Sequence, residues 1–439
     1  MDALAGFPDR FEVGVSTAAY QIEGAVTEDG RGPSVWDTFA HTPGRVKNGD
    51  TGDVACDHYH RWPEDVALMA DLGVDAYRFS ISWPRVQPTG SGALNIPGLD
   101  FYDRLVDALL QRGIAPLPTL FHWDLPQALE DEGGWLSRAT AERFAEYAGH
   151  VADRLGDRVR RWITLNEPVV HMAEGHAWGG GAPGHSLMFG ALPVAHHQLL
   201  GHGLAARVLR ERGATQVMIT NNCTPVLPAS DDEADVMAAA MYDSFHNRLF
   251  NDPILLGAYP EMLASFLGDL VQDGDLEIIH APLDALGINY YNPTRIAAAA
   301  PDADLPFDPR PIEGVPITAF GWPVVPGGLR DLLVGLKDTY GEALPPIYIT
   351  ENGCSTADGT DDAFRIDYLR GHLDALKSAI DAGVDVRGYF IWSLMDNFEW
   401  SEGYSQRFGL VRVDFETQER TPKDSFRWLR TALAARKPA

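Results

Sequence analysis

The strongest constraint on the fold is the alternation of β-rich runs with amphipathic helical segments along the whole chain. Between the β-rich runs, apolar residues recur every three or four positions, which is typical of helices with one buried face. Strand and helix alternating eight times favours a closed parallel barrel over an open doubly wound sheet. We therefore predict the α/β class and one TIM barrel, (β/α)8, as a single domain over residues 1–439. The predicted strands span 11–18, 74–81, 114–121, 160–165, 216–221, 284–290, 346–351 and 386–393, and clear helical segments span 64–72, 100–111, 140–155 and 363–380.

One segment does not follow this alternation. Residues 297–328 carry many prolines and no usable period, and they lie between the sixth and seventh predicted strands. We interpret them as a long loop over the mouth of the barrel rather than as a domain linker. Gly113 and Gly383 follow predicted helices, where a left-handed cap suits glycine.

The charge balance narrows the function. The 62 acidic and 35 basic residues leave a net charge of −27, which disfavours binding to nucleic acid or to anionic membranes.

No apolar run is long enough to cross a membrane, and the first residues do not resemble a secretory leader, so we expect a cytoplasmic protein. The three cysteines are widely spaced and odd in number, which predicts ordinary reduced thiols.

Polar and aromatic residues terminate the predicted strands. Catalytic side chains of a closed α/β barrel come from the carboxyl ends of its strands, so residues at these ends are expected to share one pocket. Seven of the eight runs lead to such residues, namely Gln21, Arg78, His122 with Trp123, Asn166 with Glu167, Asn289 with Tyr291, Glu351, and Trp392.

Glu167 and Glu351 are the two carboxylates in this set. Cleavage of a glycosidic bond requires such a pair, one group protonated to assist the leaving oxygen and one ionised to attack or stabilise the anomeric carbon. Arg78 would keep Glu351 ionised if it reaches that residue, whereas Glu167 has no obvious cationic neighbour in the sequence. We therefore expect Glu351 to be the nucleophile and Glu167 the acid/base.

Three motifs carry a family resemblance. FEVGVSTAAYQIEG, TLNEP and ITENG are together highly specific, and segments such as YRFSISWPRV, LFHWDLPQAL and LGINYYNP extend the match over nearly the whole chain. The sequence resembles glycoside hydrolase family 1, the retaining β-glucosidases and β-galactosidases. The resemblance implies a hydrolase of carbohydrate metabolism and cellulose degradation that needs no cofactor and no metal. Its substrates would be small β-glycosides with a terminal non-reducing β-D-glucosyl residue, namely cellobiose, short cello-oligosaccharides and aryl β-glucosides.

The resemblance also implies roles for individual residues. Tyr291 and Arg78 would hold the nucleophile, and Asn289 would support the acid/base. A carboxylate at Glu399 would accept hydrogen bonds from a neutral sugar but repel a phosphate, which disfavours 6-phospho-β-glycosides. The implied sugar subsite comprises Gln21, His122, Trp123, Asn166, Glu399 and Trp400, with Trp392 as the stacking floor and Phe408 at its border.

Departures from the family pattern lie on the leaving-group side. Val169 stands where the family usually has Trp, Gly181 where it has His, and Pro323 where Glu is common. Loss of an aromatic platform there weakens stacking on a second sugar. We hypothesise that Trp322 or Trp178 partly rebuilds this aglycone wall.

Several alternatives stay open or are disfavoured. The resemblance does not separate glucosidase from β-galactosidase or β-fucosidase, nor hydrolysis from transglycosylation, and a non-catalytic carbohydrate-binding protein is a remote alternative. His58 with His60, and His171 with His176 and His185, lack an established ligand spacing, so no metal site is predicted. The oligomeric state is not predicted.

Overall fold

The computed structural model describes residues 3–303 and 305–436. Its centre is a closed barrel of eight parallel strands, in which each strand pairs with its sequence neighbours and the last pairs with the first. This confirms the predicted TIM barrel. The strands are β1 (Glu12–Ser16), β2 (Ala76–Ser80), β3 (Ala115–Phe121), β4 (Arg161–Asn166), β5 (Gln216–Asn222), β6 (Ala285–Asn289), β7 (Ile347–Asn352) and β8 (Val386–Trp392).

Helices connect the strands and pack around the barrel. The long ones bury their apolar face, as the three-to-four residue periodicity predicts. They span His58–Leu72, Ile96–Gln111, Arg138–Leu155, Leu192–Glu211, Glu233–Asp243, Pro326–Tyr340, Ala363–Asp381 and Asp424–Arg436. Shorter helices span Ala19–Ile22, Val35–Ala40, Trp83–Val86, Gln127–Asp131, Pro168–Met172, Leu249–Leu256, Glu261–Leu267 and Asp275–Ile279. Wider π turns span Ala173–Ala177 and Ser244–Arg248.

A layer of side chains fills the inside of the barrel. It comprises Ala76, Leu117, Ile163, Met218, Ala285, Tyr348 and Phe390, one from each of β2 to β8. The remaining strand contributes Gly14, where a Cβ would lie 2.4 Å from the ring of Phe390. The missing side chain on β1 therefore makes room for the large one on β8, and the interior is a packed core rather than a pore.

The segment 297–328 is more regular than the sequence predicts. Phe307–Arg310 forms a strand that pairs antiparallel with Thr294–Ala298, and the helix Pro326–Tyr340 begins before the segment ends. Val226–Pro228 completes this small sheet. Pro309 is tolerated because it lies on an edge strand, where a missing N–H costs little. The prediction of one long loop was therefore wrong for this strand and for the start of this helix, whereas Phe320 and Trp322 between them line the cavity at the barrel mouth.

The glycine caps agree with the sequence. Gly113 (φ +72°) and Gly383 (φ +86°) both adopt the left-handed conformation directly after a helix.

A second small sheet pairs Val411–Val413 with Arg420–Pro422. Among the helices described, none combines the length and the apolar character that crossing a membrane requires.

Candidate active site

The carboxyl ends of the strands open into a cavity of about 500 Å³. Parallel strands direct all their carboxyl ends to one rim, so side chains far apart in sequence meet there. Ten of the residues expected in the site line this cavity: His122, Trp123, Glu167, Tyr291, Trp322, Glu351, Trp392, Glu399, Trp400 and Phe408. Gln21, Arg78, Asn166 and Asn289 lie directly behind the wall and hydrogen-bond to the residues that form it.

Glu351, on β7, is held through both carboxylate oxygens. Arg78 donates from Nη1 to Oε1 at 2.5 Å, and Tyr291 donates its hydroxyl hydrogen to Oε2 at 2.6 Å. Glu351 is 3% exposed and Arg78 is 1% exposed, so little water screens this pair. A guanidinium and a phenol that donate to opposite oxygens fix the orientation of this carboxyl group.

Arg78 also organises the groups beside it. Its Nη2 donates to Oδ1 of Asn166, and Nδ2 of Asn289 donates to the same oxygen at 3.1 Å. Thr350 donates to Oδ1 of Asn289 at 2.8 Å, which leaves the Asn289 amide nitrogen free to face Glu167. One buried network therefore connects β2, β4, β6 and β7 and sets the positions of both carboxylates relative to each other.

Glu167 follows β4 at the first turn of the helix Pro168–Met172. Its backbone has φ +45°, a left-handed conformation, and its N–H donates to the Thr220 carbonyl. This sharp turn aims the side chain into the cavity, where Asn222 and Asn289 both donate to Oε1, at 2.9 and 2.8 Å. Burial, together with the negative charge of Glu351, raises the pKa of Glu167 to about 8.

The two carboxyl groups therefore have different surroundings. Near pH 7 Glu167 retains its proton, because it is buried and lies near the negative charge of Glu351. Glu351 instead contacts the guanidinium of Arg78, with 2.5 Å between Nη1 and Oε1. A proton donor and a nucleophile in one cavity are the pair that glycoside cleavage uses.

His122 and Asn166 form a neutral polar edge. Since Oδ1 of Asn166 accepts hydrogen bonds, its Nδ2 is the donor to Nε2 of His122, at 3.0 Å. Burial and the positive charge of Arg78 hold the pKa of His122 well below its usual range, so the ring is neutral and carries its hydrogen on Nδ1. Within the part of the chain described, Nδ1 has no hydrogen-bond partner. A hydroxyl of a bound molecule would satisfy this donor.

Glu399 and Gln21 form a second polar edge. Nε2 of Gln21 donates to Oε2 of Glu399 at 3.3 Å and to the Phe398 carbonyl at 2.8 Å. Burial and the charges of Glu351 and Glu167 raise the pKa of Glu399 to about 8. Glu167, Glu351 and Glu399 thus lie close enough in one cavity to influence one another's charge. A neutral ligand with several hydroxyls fits this field, whereas a phosphate would add repulsion.

Aromatic rings make up much of the remaining wall. Trp123 and Trp400 lie 4.6 Å apart between ring centroids, and His122 and Trp392 stack at 6.0 Å. Flat apolar faces beside hydroxyl-binding groups suit the C–H surfaces of a sugar ring. Trp322 contacts Tyr291 at 5.1 Å between centroids and extends this wall on the side of Glu351.

The structure does not bring Val169 and Trp178 into the cavity wall. Val169 is 1% exposed and packs into the core, whereas its neighbour Val170 lines the cavity. Trp178 is 37% exposed and faces Phe245, 6.3 Å away between ring centroids. Of the two tryptophans proposed for the aglycone wall, Trp322 therefore lines the cavity and Trp178 does not, and an aglycone role for Trp322 stays a prediction.

The sequence reasoning missed a chain of polar residues beside Glu167. Asn222 ends β5, and its Oδ1 accepts from Nε2 of His246 at 3.1 Å. Burial lowers the pKa of His246 to about 4, so the ring is neutral and its Nδ1 accepts from the Tyr242 hydroxyl at 3.4 Å. Asn222 was detectable by the strand-end rule, because β5 was the one strand without an assigned residue. His246 and Tyr242 carry no local signal.

A carboxylate at the rim was also missed. Glu174 lines the cavity beside Gly180 and Gly181. It belongs to the turn Ala173–Ala177, which the sequence does not mark as functional.

Comparison with known proteins gives a consistent result. The profile described as glycosyl hydrolase family 1 matches residues 4–438. A thermostable β-glucosidase B of Thermobispora bispora is 51% identical over 97% of this chain and 90% of its own length. A bifunctional β-D-glucosidase/β-D-fucosidase of Bifidobacterium breve is 50% identical over 98% of both chains. The solved β-glucosidase of Thermotoga maritima in complex with deoxynojirimycin superposes with a TM-score of 0.94, at 45% identity over 99% of both chains.

Proposed function

The chain belongs to glycosyl hydrolase family 1, and on this premise we propose that it is a β-glucosidase that releases terminal β-D-glucosyl residues from the non-reducing ends of small β-glycosides. Cellobiose, short cello-oligosaccharides and aryl β-glucosides are the substrates proposed. The proposal depends on one observation, that two carboxyl groups in the same cavity have different surroundings. Glu351 is bound by Arg78 and Tyr291, whereas Glu167 keeps its proton to about pH 8.

The first step is the attack of Glu351 on the anomeric carbon. The carboxylate forms a covalent bond to that carbon while Glu167 transfers its proton to the leaving oxygen, so that an alcohol or a sugar departs. The product is an α-linked glycosyl-enzyme. Its formation removes the negative charge of Glu351, which is the charge that helps to raise the pKa of Glu167.

The second step uses the same two groups in reverse. Glu167, now ionised and with a lower pKa, removes a proton from water, and the water oxygen attacks the anomeric carbon and displaces Glu351. The β configuration is restored, so the reaction proceeds with net retention. A sugar hydroxyl that replaces water in this step gives transglycosylation.

The sugar subsite is assigned to the residues around the two carboxyl groups. His122 Nδ1 and Gln21 Oε1 are buried and without a partner in the described residues, which is consistent with hydrogen bonds to sugar hydroxyls. Glu399 forms hydrogen bonds with further hydroxyls, and Trp392 supplies the stacking face. The deoxynojirimycin complex of the Thermotoga maritima relative is consistent with a small-molecule substrate.

A β-fucosidase activity of the same site is a second candidate. It is favoured by the relative from Bifidobacterium breve, whose name combines both activities at 50% identity. Fucosyl and glucosyl substrates would use the same two carboxyl groups and differ only at the polar edge near Glu399.

We also propose that residues 1–439 act as one catalytic domain, since β1 pairs with β8 and closes the barrel only when both ends of the chain are present. A role in cellulose degradation and a cytoplasmic location stay predictions from the sequence.

The test is a panel of 4-nitrophenyl β-glycosides and cello-oligosaccharides, with the anomer of the first product read by NMR. We expect hydrolysis of glucosides with β-glucose as the first product. First release of α-glucose would contradict double displacement, and the absence of turnover on every glycoside would leave only a binding role.

Two variants assign the carboxyl groups. Glu351→Ala should abolish hydrolysis, and azide should restore part of it with formation of an α-glycosyl azide. Glu167→Ala should retain the first step on substrates with good leaving groups, which need little proton assistance. Wild-type rates on cellobiose in both variants would refute the assignment.

A further inference from the structure

Three potential metal ligands meet beside the cavity. Glu130 lies on the helix Gln127–Asp131, His176 lies in the turn Ala173–Ala177, and His185 lies on the loop that follows this turn. One ligand atom from each lies within 4.8 Å of the others, and no second such group occurs in the described part of the chain. We propose that Glu130, His176 and His185 form a binding site for a divalent transition-metal ion, with Zn²⁺ as the reference ion.

His176 is prepared as a ligand. It is fully buried, and its Nδ1 faces the His171 carbonyl at 3.3 Å, so the hydrogen lies on Nδ1 and the lone pair on Nε2. Nε2 has no partner among residues 3–303 and 305–436. A buried acceptor without a partner is unfavourable, and a backbone carbonyl that holds the second ring nitrogen is the usual support of a metal-bound histidine.

Glu130 and His185 supply the other two ligands. Nε2 of His185 and Oε1 of Glu130 lie 2.7 Å apart, and Oε2 of Glu130 is buried without a partner in the described residues. Two histidines and one carboxylate are a donor set that zinc accepts, with water in the fourth position. An ion would replace the hydrogen now shared between His185 and Glu130.

The remaining distance can close by movement of one side chain. Ligand atoms bound to one tetrahedral zinc at about 2.0–2.2 Å lie roughly 3.3 Å from one another. The three ligand atoms of this cluster lie within 4.8 Å of one another, so they must move closer together to share an ion. The His185 side chain is 40% exposed and lies on a loop, whereas that of Glu130 is 9% exposed. His185 is therefore the ligand that moves.

The site is distinct from the two catalytic carboxyl groups, since none of its three residues lines the cavity. Their neighbours do, however: His171, Gly175 and Ala182 all form part of the wall. A bound ion would tie the helix after β3 to the segments that carry this wall, and so hold the wall in place. The proposed glycosidase function does not depend on this ion.

The test uses the whole protein, treated with a chelator and titrated with ZnCl2 in a calorimeter, with thermal unfolding measured in parallel. We expect one Zn²⁺ per chain and a rise in Tm, because an ion that binds only the folded state stabilises it. His185→Ala removes a half-exposed ligand and should still fold. It should weaken binding by more than the roughly 10–100-fold that loss of a supporting residue costs.

The matched control is His60→Ala. His60 also lies between two carboxylates, but Asp57 and Glu28 contact opposite nitrogens of its ring, so the three cannot share one ion. This variant should bind Zn²⁺ as the wild type does. Equal affinity in His185→Ala and the wild type, or the absence of stoichiometric binding in the wild type, would overturn the proposal.

A spectroscopic measurement separates the ligands. With Cu²⁺ in place of Zn²⁺, electron paramagnetic resonance should show nitrogen hyperfine coupling from two imidazoles in the wild type and from one in His185→Ala. An unchanged spectrum in the variant would place the ion elsewhere. Neither measurement depends on turnover, so failure of the metal site is distinguishable from failure of the glycosidase assignment.

Discussion

Tyr291 donates its hydroxyl hydrogen to Oε2 of Glu351 at 2.6 Å, on the carboxylate oxygen opposite the one that Arg78 holds. Glu351, the proposed nucleophile, is thus held from two sides, by a residue that follows β6 and a residue within β2. Neither contact is local in sequence. The closed barrel brings the donors to Glu351, and their positions make the carboxylate rigid before a substrate arrives.

Removal of the phenol should slow formation of the glycosyl-enzyme. We expect Tyr291→Phe to lower kcat/KM for 4-nitrophenyl β-glucoside by roughly 10- to 1000-fold, since one preorganised donor is lost. Tyr290→Phe is the control, because the Tyr290 hydroxyl donates to the Val325 carbonyl at 2.7 Å and lies outside the cavity wall. Comparable losses in both variants would show that Tyr291 acts only through folding.

The raised pKa of Glu167 predicts an alkaline limit to activity. The general acid must be protonated, so kcat/KM for cellobiose should fall as the pH rises through about 8. A substrate with a good leaving group, such as 2,4-dinitrophenyl β-glucoside, needs little proton assistance and should show a weaker fall. An identical alkaline limb for both substrates would contradict the assignment of this pKa to Glu167.

Asn222 should lower the pKa of Glu167, because it donates to Oε1 and favours the ionised form. We therefore expect Asn222→Ala to move the alkaline limb for cellobiose upward from about 8. Asn221→Ala is the control, since Asn221 is adjacent in sequence but donates to Asn251. A limb that does not move in Asn222→Ala, or that moves equally in the control, would refute a direct effect on the acid.

Glu399 should destabilise the fold at alkaline pH. Its pKa is raised from 4.5 to about 8, so the folded protein holds a proton that the unfolded chain releases across this window. The free energy of unfolding therefore falls as the pH rises from about 4.5 to about 8. Glu399→Gln removes this titration, and we expect it to stabilise the protein at pH 9 by roughly 3–5 kcal/mol relative to its effect at pH 4.

The control for this experiment is Glu402→Gln. Hydrogen bonding to Lys47 lowers the pKa of Glu402, so its contribution has the opposite sign and is lost in acid. Urea unfolding of both variants at pH 4 and pH 9 measures the difference. If Glu399→Gln did not raise the free energy of unfolding more at pH 9 than at pH 4, the raised pKa of Glu399 would be disproved.

The two tryptophans proposed for the aglycone wall should behave differently. Trp322 lines the cavity, so Trp322→Ala should lower kcat/KM for cellobiose by roughly 2- to 10-fold through lost stacking. Trp178 faces Phe245 outside the wall, and Trp178→Ala should leave this value unchanged. If kcat/KM for cellobiose were unchanged in both variants, neither tryptophan would contribute to binding of the second sugar.

Much of the site was predictable because strand ends are local features. The runs before Glu167 and Glu351 are short and rich in β-branched residues, and parallel strands must place their carboxyl ends on one rim. The segment 297–328 was misread because its strand, Phe307–Arg310, is stabilised by pairing with Thr294–Ala298 rather than by its own residues. Local periodicity does not report such a partner.

The sequence by itself determined the barrel and the two carboxyl groups, since alternation and strand-end chemistry depend on neighbouring residues only. Tertiary structure alone decided that Trp322 lines the wall while Trp178 does not, that Asn222 and His246 support Glu167, and that Glu130 meets His176 and His185. It also decided the pKa of Glu167. The physical reason is that packing distance, burial and the Coulomb energy between charges depend on separation in space, which the separation along the chain does not specify.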